Sequence, residues 1–118
     1  WTTTDKYDAW KDWANSWNGT WNVTSTHETG PGAPNSWDSV MQVDTSSGCT
    51  VRFGNSTVQT CTISGDILTL TGQHPTGYPM TWTFAHDGPR IDPVRSGFDG
   101  QISGDHATGY YEGWKSQF

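Results

Sequence analysis

Histidine, cysteine and carboxylate side chains are where this chain could do acid–base, nucleophilic or metal chemistry. Three of the four histidines stand beside an acid: His27-Glu28, His86-Asp87 and Asp105-His106, with His74 alone. On a strand, neighbouring residues point to opposite faces, so these pairs act together only where a bulge or turn re-aims one member. The spacings H-x-H, H-E-x-x-H and C-x-x-C are absent, which predicts no metal site and no cofactor. The histidines read as exposed residues at loop edges. A glycosidase needs two carboxylates facing across a cleft. Glu28 and Glu112 are the only glutamates, and Asp66, Asp87, Asp92, Asp99 and Asp105 stand in turn contexts. No G-x-S-x-G elbow is present. The residue types therefore lean away from an enzyme, and no catalytic residue is assigned.

The two cysteines are Cys49 and Cys61. Folding the segment between them about Asn55 sets Cys49 opposite Cys61, Val51 opposite Gln59 and Phe53 opposite Thr57. Opposed residues of an antiparallel pair lie within disulfide reach, so a bond across this hairpin is predicted, with two buried free thiols as the alternative. A disulfide implies an oxidising compartment. The chain begins with Trp and shows no basic n-region or apolar h-region, so any secretory leader is expected to have been removed. Asn18, Asn22 and Asn55 open N-x-Ser/Thr triplets, with Asn55 at the hairpin tip the best acceptor in a eukaryotic secreted protein.

Binding chemistry is better represented than catalysis. Aromatic residues make up 14% of the 118 residues and eight are Trp, whereas only 31% of the chain is hydrophobic and 15% charged. That balance excludes both a helical bundle and a disordered chain. A net charge of −6 argues against nucleic acid and anionic membrane as partners. No apolar run reaches the roughly 18 residues of a membrane-spanning helix.

The elements that must position these rings are mostly strands. Residues 1–18 read as a helical segment, with Tyr7, Trp10, Trp13, Ala14 and Trp17 on one arc of about 120°. That stripe would cover the body or dock on another copy. From residue 19 the pattern alternates: Trp21 with Val23, Leu68 with Leu70, and Met80 with Trp82 and Phe84. Turn signals at Ser46-Ser47-Gly48, Gly65-Asp66, Asp87-Gly88-Pro89 and Gly104-Asp105 divide residues 19–118 into about eight short strands. Ile63-Ser64-Gly65-Asp66 returns as Ile102-Ser103-Gly104-Asp105, which reads as one hairpin turn used twice. Successive hairpins predict an all-β, antiparallel up-and-down barrel with a short N-terminal helix.

Gly19-Thr20-Trp21, following a short helix and opening the first strand, resembles the G-x-W signature of lipocalins and other calycin barrels. The repeated turns and the closing Gly-Tyr-Tyr-Glu-Gly stretch are similar to small bacterial lipocalin-like extracellular domains. The resemblance spans residues 19–114. It implies that Trp21 closes the base of a barrel and that a basic residue (Arg90, Arg95 or Lys115) packs on it. It also implies an internal cavity.

Three functions follow as expectations. The first is a secreted, non-enzymatic protein holding a small apolar or aromatic ligand inside the barrel, with Trp21, Met80, Trp82, Phe84, Phe98 and Tyr111 as its binding residues. The second is a carbohydrate-binding module with Trp37, Tyr78 or Tyr110 as surface platforms for a glycan. The third is a structural subunit of an extracellular assembly, self-associating through the N-terminal aromatic stripe.

Overall fold

The computed structural model describes residues 3–116. Helix α1 spans Thr3–Ala14, with Asp5 in its first turn and Lys11 in its last, both placed to suit the helix dipole. Nine strands follow: β1 (Gly19–Thr29), β2 (Asn35–Asp44), β3 (Thr50–Phe53), β4 (Thr57–Ser64), β5 (Ile67–Gln73), β6 (Pro79–Asp87), β7 (Arg90–Ile91), β8 (Gly97–Ile102) and β9 (Asp105–Lys115). The fold is all-β with an N-terminal helix. The added strand is β7, whose two residues are too short to show alternation.

All nine strands belong to one antiparallel sheet, in the order β3-β2-β1-β9-β7-β6-β5-β4, with β8 also bridging β6 and β9. Neighbours in sequence are neighbours in the sheet, except for β3 with β4 and β7 with β8. Among the described residues no ladder joins β3 to β4; the turn 54–56 and the Cys49–Cys61 disulfide connect them instead. The predicted bond is present, with Cα atoms 5.6 Å apart. The predicted hairpin ladder around it is not; β4 pairs with β5 alone, with a register shift between Val58 and Thr60. The sheet is strongly coiled all the same. Phe53 on β3 lies 5.5 Å from Phe84 on β6 and 5.6 Å from Tyr111 on β9, each edge-on.

The two Ile-Ser-Gly-Asp segments turn in different frames, contrary to the single turn expected. In the first, Ser64 pairs with Ile67 and the turn is Gly65-Asp66. In the second, Ile102 pairs with Asp105 and the turn is Ser103-Gly104, both at positive φ (53° and 89°). That is the pattern of a two-residue primed turn. Burial sets the frame: Ile102 faces the core, whereas Ile63 is exposed, and a one-residue slip exchanges faces.

The aromatic stripe of residues 1–17 divides. Ala14 and Trp17 are buried, but Tyr7 and Trp10 are exposed and stack on each other with centroids 6.4 Å apart. Trp17 lies beyond the helix, in the link to β1. Only the C-terminal end of the stripe therefore covers the body.

Candidate functional site

The strands have a sealed end and an open end. At the sealed end Trp21 is fully buried, its ring 5.0 Å from Trp17, and its indole N–H donates to the Trp17 carbonyl at 3.0 Å. Lys115, the last residue of β9, is buried there too. Its Nζ lies over the Trp21 and Trp13 rings at 5.5 and 5.3 Å. It donates to the carbonyls of Trp13 (2.6 Å) and Ser16 (2.7 Å). These carbonyls sit at and just past the C-terminal end of α1, where backbone acceptors lack helical partners. Burial pulls the Lys115 ammonium below the usual lysine value, while the two carbonyls and two indole faces favour its charged form. Of the three basic residues considered, Lys115 is the one on Trp21. Arg95 instead joins Asp66 (2.9 Å) and Asp92 (2.8 Å) on the surface, holding both carboxyls below their usual range.

His86 also belongs to the sealed end. It is buried, edge-on to Trp17 at 4.8 Å, and its Nδ1–H donates to the Gly88 carbonyl at 3.0 Å. His27 is buried at the other end, 4% exposed. The expectation that the histidines stand exposed at loop edges is therefore corrected for these two; it describes His106, which pairs with Asp99 at 2.7 Å on the surface. The correction follows from strand alternation. Trp21, Val23, Ser25 and His27 share the inward face of β1, and all four are buried.

The open end holds a cavity of about 290 Å³. Its apolar wall comes from Phe53, Met80, Trp82, Phe98 and Tyr111, on four different strands. On β9, Gly109 lets the Phe98 ring lie against the strand beside the Tyr111 face. A Cβ there would collide with the Thr26 carbonyl and the Phe98 ring. Of the six residues read as ligand-binding, Met80, Trp82, Phe98 and Tyr111 line the cavity. Trp21 and Phe84 do not: Trp21 closes the sealed end, and Phe84 is fully buried, stacked on Tyr111 at 4.6 Å.

Polar groups at the cavity were missed in the sequence. Ser25, His27, Ser39 and His74 line it, with Asn55 at its rim. Burial pushes the Tyr111 phenol well above its usual range, and the nearby Ser25 hydroxyl pulls weakly the other way. The backbone N–H of Thr76 donates to His74 Nδ1 at 3.2 Å, which leaves the His74 proton on Nε2. Burial lowers the pKa of both His27 and His74, and the proximity of His74 lowers His27 further. Both are neutral at neutral pH. His27 sits between rings, 4.0 Å from Trp37 and 4.7 Å from Phe98, and its Nδ1 has no hydrogen-bond partner.

The three residues read as glycan platforms do not form a row. Trp37 is a cavity wall, Tyr78 lies in the loop before β6, and Tyr110 is half-buried on the outer face of β9. Trp114, on that same face, is the more exposed ring at 60%. Asn18, Asn22 and Asn55 are all exposed; Asn18 Oδ1 accepts from the Thr45 N–H at 2.9 Å. Among the described residues no group of three or more His, Cys, Asp or Glu could hold a metal, and no helix is long and apolar enough to cross a membrane. No family model, no curated protein and no solved structure matches the chain.

Proposed function

We propose that the protein is a secreted binding protein of lipocalin-like type that holds a small aromatic molecule in the open end of a barrel. The barrel is closed between β3 and β4 by the disulfide. One observation carries this reading: a cavity of about 290 Å³ has five buried apolar side chains on its wall, beside seven polar residues that include Asp38. Small-molecule sites pair apolar walls with placed polar groups. An apolar cavity of about 150 Å³ takes a benzene ring, so this space suits two fused rings rather than a long lipid. Trp21 at the sealed end with Lys115 over its ring supports the lipocalin-like assignment. The disulfide supports secretion.

The test is calorimetric titration of the protein with naphthalene-sized aromatics, alongside Ser39→Phe. Ser39 lines the cavity from β2, and a phenyl ring there would occupy the ligand's space. Saturable binding that weakens at least tenfold in Ser39→Phe, with the circular dichroism unchanged, is expected. Equal binding by both proteins refutes the assignment.

A second reading rests on a different surface. Asn22, Thr24, Asp38 and the exposed Trp114 border a shallow groove on the outer face of β2, β1 and β9. An indole flanked by amide, hydroxyl and carboxylate suits a sugar ring. A glycan-array signal abolished by Trp114→Ala would support this surface as the site, and an empty array would remove it.

A further inference from the structure

Resting on the cavity reading above, we propose that the ligand is an uncharged two-ring aromatic carrying a single hydroxyl or N–H, which hydrogen-bonds Nδ1 of His27. Some polar atoms around the cavity are already engaged: His74 Nδ1 accepts from Thr76, and Asp38 Oδ1 takes the Thr24 hydroxyl at 2.7 Å. His27 Nδ1 stands apart as a buried nitrogen with no partner, on a side chain that lines the cavity. Such atoms are rare in folded proteins because the bond lost to water is not replaced. A ligand group placed here replaces it.

Charge narrows the class. No Lys or Arg lines the cavity, and its two imidazoles are neutral at neutral pH. A carboxylate entering would lose water and find no counter-ion. A hydroxyl both donates and accepts, so it satisfies Nδ1 in either tautomer. The surrounding rings, Trp37 at 4.0 Å and Phe98 at 4.7 Å from the imidazole, favour a flat partner. Trp37, exposed on its far side, is the side chain whose displacement most readily opens a path to the nitrogen.

The experiment is calorimetry at pH 7.5 with naphthalene, 2-naphthol and 2-naphthoate, which share a ring system and differ in the polar group. 2-Naphthol should bind about 3–10-fold tighter than naphthalene, the range of one added hydrogen bond. 2-Naphthoate should bind at least tenfold weaker than 2-naphthol. In His27→Phe the ratio of 2-naphthol to naphthalene affinity should fall to about one, whatever the absolute affinities become. The wild-type series decides the question without the variant, should His27→Phe fail to fold. Equal affinity for naphthalene and 2-naphthol, or a preference for 2-naphthoate, overturns the role of His27 and leaves the cavity reading standing. Failure of all three to bind overturns the cavity reading itself.

Discussion

Replacing Lys115 by Met should separate the N-terminal segment from the sheet energetically while sparing the rest of the fold. The ammonium makes two short charge-assisted bonds, to the Trp13 and Ser16 carbonyls, and lies over two indole faces. Bonds of that kind are each worth about 1.5–3 kcal/mol, and each cation–π contact about 0.5–1 kcal/mol. Two effects reduce the sum. Met no longer has a charge to desolvate, and its stem keeps the apolar contacts of the lysine chain. The Trp13 carbonyl also retains a long bond from the Ser16 N–H at 3.4 Å. The net loss should be about 3 kcal/mol. For a 118-residue domain that corresponds to a Tm lower by about 12 °C. Urea denaturation followed by tryptophan fluorescence measures the free energy. Hydrogen exchange at the Asn15 and Ser16 amides shows whether the loss is local to the end of α1. A change below about 0.5 kcal/mol, or unaltered exchange at those amides, would refute the view that Lys115 fastens the segment.

Other expectations concern the closure, the glycines and pH. Removing the disulfide with Cys49→Ser and Cys61→Ser should cost about 3 kcal/mol for a crosslink spanning 12 residues, measurable by chemical denaturation. Because no ladder joins β3 to β4, the same variant should lose exchange protection first in those two strands. Gly109→Ala should destabilise by about 3 kcal/mol or more, since its Cβ meets the Thr26 carbonyl and the Phe98 ring; differential scanning calorimetry would show it. Burial holds His27 below its ordinary 6.5, so the unfolded chain takes up its proton first as pH falls. Stability is then fully present above about pH 6.5 and declines through the folded value, by at most about 1.4 kcal/mol per pH unit for that imidazole. Denaturation curves at pH 7.5 and 5 test this, and a protein more stable at pH 5 would contradict it once His27→Phe shows the same trend.

Much of the strand pattern was legible because alternation and turn residues are local signals. Met80, Trp82 and Phe84 share a face as read, and all are buried. The disulfide followed from spacing alone. What escaped was set by boundaries and by charge. The strand read from Ser39 begins at Asn35, so Trp37 was left out of the inward series that continues to Met41 and Val43. His27 continues the series of Trp21, Val23 and Ser25; extending that alternation two residues would have placed it inside. Lys115 likewise continues Tyr111 and Gly113, a position where a charge is unexpected unless backbone carbonyls await it. His74 lies in a loop, where no periodicity exists to show a direction. The turn frames at Gly65 and Ser103 depend on which isoleucine is buried, a tertiary fact that identical tetrapeptides do not carry.

Nitrogen-15 and side-chain proton NMR of the folded protein, titrated with 2-naphthol, examines the ligand site most directly. Shift changes should saturate and converge on Ser25, His27, Phe53 and Tyr111, with the His27 ring protons moving furthest. Changes gathered instead on Asn22 and Trp114, or on Tyr7 and Trp10, would contradict an interior site.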